Sequence, residues 1–199
     1  IINCIKFYYE KILGQPKKFY KLRRPRGEKK LPRVIDQQEL LGKIITIPNL
    51  KHKTILTLAY SVGLRVSEIV NLKIVDIDSK RMLININNAK GRKDRIVPLS
   101  ETVLKLLRFY YIEYKPKEYL FNGQKSLQYS IGSCQAIYKQ YIDTKTSIHN
   151  LRHSSFTHLL ENGTDLRLIQ KIAGHSSVKT TEIYTHVSNK LLSQVQLPI

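Results

Sequence analysis

Six side chains in this sequence have the types and the spacing to act on a phosphodiester: Arg65, Lys90, His149, Arg152, His175 and Tyr184. An arginine offers a planar fork to two phosphate oxygens and keeps its charge. A pair of them can therefore neutralise charge building on a pentacoordinate phosphorus without a metal. Tyr184 supplies a nucleophile, but a phenol titrates near about 10 and needs a base or a strongly positive field before it attacks. His149 or His175 meets that need. The leaving alkoxide needs a proton in turn, and a lysine such as Lys90, its pKa lowered by neighbouring cations, can deliver it. Residue types alone do not single out this assembly, because any basic domain scatters such groups.

These groups converge only if the chain folds back between them. Gly163 and Gly174 break the stretch from His149 to Tyr184 into short helices, and Gly63 stops an earlier one; each can take the left-handed conformation that ends a helix. Asp36 reads as the cap of a helix through Ile44, and the Ile55, Leu58, Ala59, Val62 spacing predicts a helix over 51–62. Arg65 then opens a further helix, with Glu68 on the same face. Between Lys73 and Leu99 the pattern changes to short alternating runs, KIVDID, MLININ and DRIVPL, which predict three antiparallel strands with Lys90 at the tip of the second hairpin. Two core helices follow, one carrying Val103, Leu104, Leu107, Tyr110 and Tyr111, the next Ile131, Cys134, Tyr138 and Tyr141. Helices over 149–162 and 165–173 and a short one near 178–185 complete the site. The fold class is therefore α+β, mostly α, with a small three-stranded antiparallel sheet.

The formal charge of +19 over 199 residues points to a polyanionic partner. A membrane surface is the weaker candidate. No apolar run approaches the ~20 residues needed to span a bilayer, and no helix sets a cationic face against an aromatic one. Cys4 and Cys134 lack metal-ligand spacing and fit a reducing compartment, so the expected location is the cytoplasm. His153 and His158 follow His149 without an HExxH pattern or paired cysteines, which argues against zinc. His153 reads as a structural hydrogen-bonding residue; His52, His158 and His186 read as surface or phosphate-contacting groups.

Residues 1–14 carry an apolar stripe of Ile2, Ile5, Tyr9 and Ile12 that must pack on something to be stable. Residues 15–33 form a basic linker with Lys17, Lys18, Lys21, Arg23, Arg24 and Arg26 as candidate DNA contacts, and 34–199 is the expected catalytic domain. Ile1 is no natural start, so a piece of a longer protein is expected. The closing stretch SNKLLSQVQLPI has a Ser188 cap and an apolar face of Leu191, Leu192 and Val195 suited to docking on this protein or a neighbour.

Four ordered strings carry a more specific signal: GLRVSEIVNL, NAKGRKDRIVPL, IHNLRHSSFTHLLENG and AGHSSVKTTEIYTHV. With them the chain resembles the tyrosine recombinases, the Xer-like or phage-type integrases, from about Leu31 to its end. The resemblance implies the DNA breaking-rejoining fold and a site-specific recombinase that cuts and rejoins duplex DNA through a 3'-phosphotyrosyl intermediate. Arg65, His149, Arg152 and His175 would bind and activate the scissile phosphate, with His149 accepting a proton. Tyr184 would attack, and Lys90 would protonate the departing 5'-oxygen. Glu68 would orient its neighbours, and Arg92, Lys93 and Arg95 would contact backbone phosphates.

The resemblance implies neither ATP nor a metal, since the phosphotyrosine conserves the bond energy. It also implies four protomers on two DNA sites, as a homotetramer or with a related recombinase, on the bacterial nucleoid; a monomer is expected for the isolated fragment. A helical domain closing around DNA would lie upstream, with 1–14 as its last helix. Ala173 stands where leucine is common in the family, a change expected to alter only packing. Rival readings are a type IB topoisomerase and a DNA-binding module that has lost activity. Tyr184 on a short, late helix is expected to be weakly anchored.

Overall fold

The computed structural model describes residues 2–15, 32–87, 94–124 and 126–185, with the side chains of Ile2, Asn3 and Lys6 left aside. It divides into two compact units, Ile1–Lys30 and Leu31–Ile199. In the first, helix α1 (Ile2–Phe7) widens into a π-turn over Tyr8–Ile12. The expected stripe there stays open to solvent, with Ile5, Tyr9 and Ile12 all exposed. The basic linker residues from Lys17 to Arg26 lie outside the described residues.

In the second unit, Asp36 accepts hydrogen bonds from the backbone N–H groups of Gln38 and Glu39 and so caps α2 (Gln37–Ile45) as the sequence predicts. Asn49 does the same for α3 (Leu50–Ser61), through the N–H of His52. Helix α3 is the centre of the fold. Ile55, Leu56, Leu58 and Ala59 are buried on several of its sides, as a helix surrounded by others must be. Helix α4 (Val66–Asn71) packs on it, and so do α2, α5 (Glu101–Tyr114), α6 (Ile131–Tyr141) and α7 (His149–Glu161). Ser100 and Ser130 cap α5 and α6. The last helix, α8 (Leu166–Ala173), is capped by Asp165 and lies against α7.

The sheet has the predicted order, β1 (Ile77–Asp78), β2 (Leu83–Ile86) and β3 (Arg95–Pro98), with antiparallel neighbours and Ile84 paired to both Ile77 and Val97. The first strand is shorter than expected. Ile74–Asp76 turns as a 3-10 helix because the Asp76 carboxylate accepts the Lys73 N–H at 2.8 Å, giving the backbone a local partner in place of a strand. The second hairpin tip, with Lys90, Arg92 and Lys93, lies outside the described residues, and so does the chain after Thr185. Two expected core positions are corrected: Tyr111 and Ile131 are 48% and 47% exposed, Ile131 as the first residue of its helix and Tyr111 in the last turn of its own.

Gly63 joins α3 to the site. It has φ +63°, and a Cβ built there would lie 2.7 Å from Cε1 and Cζ of Phe156 on α7. Its carbonyl accepts a hydrogen bond from Nη1 of Arg152. Gly63→Ala therefore forces both a disfavoured backbone and an overlap with a buried ring, and is expected to cost about 1–3 kcal/mol in denaturant unfolding. A loss below about 0.5 kcal/mol, within the range of ordinary surface substitutions, would refute that reading.

Candidate active site

Glu68 lies in the first turn of α4, behind Arg65, which sits at the helix N-cap. Its Oε2 accepts the Arg65 backbone N–H at 2.8 Å and its Oε1 accepts Arg65 Nη1 at 2.9 Å. From β3, Arg95 closes a two-pronged pair on the same carboxylate, Nη1 to Oε1 at 2.6 Å and Nη2 to Oε2 at 2.7 Å. Burial pushes the Glu68 carboxyl up, but the hydrogen bonds and charge of Arg95, then of Arg65, outweigh it and hold the pKa at about 2.

Arg95 thus corrects one expectation from the sequence. Its side chain is 6% exposed, and its Nε donates to the Ile172 carbonyl at 2.7 Å, so the guanidinium is committed inside the protein and unavailable to a DNA backbone. Arg65, at 22% exposure, is the member of the pair that faces outward. The signal was present in the strand pattern, since Arg95 and Val97 share the inward face of β3.

Arg152 enters from α7 and is 1% exposed. Nη1 donates to Gly63 O, Nη2 donates to Ala173 O at 2.6 Å, and the guanidinium carbon stands 4.7 Å from the centre of the Phe156 ring. Two arginines therefore hold adjacent carbonyls, Ile172 and Ala173, at the end of α8. Gly174 follows at φ +64°, and a Cβ there would come 2.9 Å from Arg95 Cδ. Burial, then the charge of Arg65, pulls Arg152 down to about 9, so it stays a cation at neutral pH.

The turn at Gly174 delivers His175, whose Nε2 lies 3.4 Å from Arg152 Nη2 and whose Nδ1 meets the Thr181 hydroxyl at 3.0 Å. Thr181 is fully buried and was not anticipated from the sequence; a threonine between a histidine and a tyrosine carries no distinctive signal. Burial, then Arg152 and Arg65, lowers His175 to about 4. His149 is lowered by the same three causes in the same order. Both rings are accordingly neutral near pH 7 and able to accept a proton.

Tyr184 follows a 3-10 turn over Glu182–Tyr184 and is 1% exposed. It is not weakly anchored. Its ring packs against His153 at 5.8 Å, Phe156 at 5.6 Å and His175 at 6.4 Å between centres. Burial raises the phenol to about 12, with Arg152 and Arg65 working against it, so activation demands a base.

His153 differs from its expected structural role. It makes no hydrogen bond through Nδ1, and its ring contacts both His149, at 4.6 Å between centres, and Tyr184, at 5.8 Å. His158, expected at the surface, is buried with Nδ1 2.8 Å from the Tyr60 hydroxyl. Of the sequence-predicted site residues, Arg65, Glu68, His149, Arg152, His175 and Tyr184 come together. Lys90 is not among the described residues, and among those residues no group of three or more His, Cys, Asp or Glu side chains could hold a metal.

The neutral histidines make stability depend on pH. His153 and His175, held at about 4 in the fold, titrate near 6.5 when unfolded, so between those values the unfolded chain binds more protons. Stability is therefore expected to fall as pH drops from about 6.5 toward 4, and the depressed Glu68 adds to the loss below its ordinary range, down to about 2. Thermal unfolding across this window should show a steadily falling Tm. A flat or rising Tm would contradict the assignment.

Residues 34–190 match the phage integrase family. The chain is 36% identical over 182 residues to a putative integrase/recombinase of Sinorhizobium fredii, covering 87% of this chain and 72% of that one. To the tyrosine recombinase XerA of Pyrococcus horikoshii it is 35% identical over 201 residues, covering 98% and 70%. Among solved structures, the XerA recombinase superposes with a TM-score of 0.73 at 31% identity, covering 96% of this chain and 71% of that one. The XerH site-specific recombinase bound to its palindromic difH substrate, in a post-cleavage complex, gives 0.73 at 28% identity, covering 82% and 52%. With the match running across every element of the site, the chain belongs to the phage integrase family, the tyrosine recombinases.

Proposed function

We propose that this chain cleaves and rejoins duplex DNA as the catalytic domain of a site-specific recombinase, with Tyr184 as its nucleophile. The observation that carries the reading is the packing of a buried tyrosine against His175, itself beside the fully buried Arg152. A phosphodiester bound at the outward-facing Arg65, with the buried Arg152 cation nearby, meets fixed positive charge where negative charge builds during displacement. The relative XerH is described as bound to its DNA substrate after cleavage, and the +19 charge of this chain suits the same class of ligand.

In the proposed step, Tyr184 Oη bonds to phosphorus as the bond to the 5'-oxygen breaks. The phenolic proton passes to His149, and the 5'-oxygen takes a proton from Lys90. Rejoining runs the same exchange in reverse, so the number of phosphodiester bonds is unchanged and no external energy source enters. Assembly of four protomers on two DNA sites belongs to this proposal; the apolar residues Leu191, Leu192 and Val195, outside the described residues, are the proposed contact with a neighbour.

A duplex nicked beside the scissile phosphate tests the reading, because loss of the short fragment traps the covalent adduct. The wild-type chain should form a denaturation-resistant protein–DNA adduct, and Tyr184→Phe should form none while binding the same duplex. Equal binding by both with no adduct from either would establish a binding module instead.

A further inference from the structure

A lysine-lined cleft shares His149 with the candidate active site. Beside His149, α6, α7 and the loop between them border an open cleft of 520 Å³ whose lining includes Lys139, Lys145, Ser147, Asn150 and His153. Lys139 and Lys145 are exposed, and neither forms a salt bridge among the described residues. The nearby acid, Asp143, is occupied. Its carboxylate accepts the Lys145 N–H at 2.9 Å and the Thr146 hydroxyl at 2.8 Å, and lies 3.7 Å from Arg33.

Three further observations point into the same space. Helix α7, 13 residues long, begins here with no side-chain cap and no acid in its first turn, so its own sequence places no anion at its positive dipole end. Asn150 is 6% exposed and its Nδ2 has no partner at full hydrogen-bond geometry, although its amide lies close enough to Tyr138 to favour that phenol's charged form. His153 Nδ1 is buried and unpartnered as well. Buried polar groups are ordinarily satisfied, and an isolated orphan donor costs about 1–3 kcal/mol. They lie beside two exposed lysines, of which Lys139 makes no ion pair among the described residues and Lys145 shares the field of Asp143. The loop that forms the wall is pinned by the Ile148 N–H donating to Gln135 Oε1 at 3.1 Å.

We infer that this cleft binds one non-scissile phosphodiester of the DNA strand, neighbouring the phosphate held by Arg65 and Arg152. This rests on the reading of the substrate as duplex DNA. His149 belongs to both places: it lines the cleft, and it lies within electrostatic reach of Arg152 and Arg65. Successive phosphates of one strand advance about 3.4 Å along the helix axis, and His149 is where the cleft and the arginines meet, so a phosphate next to the scissile one is the candidate occupant. Lys139 and Lys145 converge on that single phosphate.

Convergence gives a test that needs no knowledge of the target sequence. Affinity for a short duplex of arbitrary sequence is measured against salt for wild type, Lys139→Ala, Lys145→Ala and the double variant. One neutralised phosphate contributes about 0.9 to the slope of log affinity against log salt. If both lysines serve one phosphate, each single variant should lose up to about 0.9, and the double variant should lose no more than about 0.9 in total. A loss approaching about 1.8 in the double variant means two independent contacts, and no loss means solvated lysines; either result overturns the inference.

Ser147→Glu supplies a second arm. Ser147 is exposed beside the start of α7, where a carboxylate favours the helix, so Tm should hold or rise while DNA affinity falls. Unchanged affinity would count against the site. Because both arms read binding, their failure is separate from failure of the catalytic reading, which shows as absence of a Tyr184-dependent adduct.

Discussion

The carboxylate of Glu68 is the interaction on which the rest of the site depends. Arg65, Arg95 and Arg152 all converge here, and three guanidiniums so close in a half-buried site repel one another. Glu68 sits between two of them at 2.6–2.9 Å and is itself almost fully enclosed. A charge buried to that degree is tolerated only when paired and hydrogen-bonded, and removal of one partner from such a pair typically costs about 3–5 kcal/mol. One carboxylate against three guanidiniums still leaves positive charge uncompensated. That residual charge is what a phosphodiester gaining negative charge in its transition state would meet, already oriented before the substrate arrives.

Two short backbone features extend this arrangement from α4 to Tyr184, the proposed nucleophile. Gly63 turns its carbonyl to Arg152, and the end of α8 turns the Ile172 and Ala173 carbonyls to Arg95 and Arg152. These bonds fix the left-handed turn at Gly174, which in turn sets His175 beside Arg152 and against Thr181. Tyr184 then closes over the histidines. The apolar enclosure that orders the phenol also raises its pKa to about 12, so order is gained at the expense of reactivity. Neutral imidazoles at hand supply the compensating chemistry, since a base that stays unprotonated at pH 7 can accept the phenolic proton.

Much of this was legible in the sequence because it is written in local patterns. The Asp36 cap, the stops at Gly63 and Gly174 and the order of the three strands follow from residue type and short spacing, while the grouping of Arg65, Glu68, His149, Arg152, His175 and Tyr184 was implied by the resemblance that four ordered strings carry. What was missed depends on partners distant in the chain. Arg95 reads as one more basic residue of a charged hairpin until Glu68, 27 positions earlier, is seen to take both of its prongs. His158 looks like a surface imidazole until Tyr60, 98 positions earlier, takes its Nδ1. The run KIVDID has strand composition, yet one Asp76 hydrogen bond is enough to curl its middle into a turn. A Thr181 contact that orients a histidine has no sequence signature at all.

The central claim is that the charge of Glu68, and not merely its bulk, holds the arginines in their productive arrangement. Glu68→Gln keeps the shape and removes the charge, so the direct measurement is the single-turnover rate of adduct formation by this variant beside its affinity for the same duplex. The account predicts a slowing of at least about tenfold, the equivalent of some 1.4 kcal/mol in the barrier, with affinity nearly unchanged. Adduct formation at the wild-type rate, or a rate that falls only in proportion to lost binding, would contradict it.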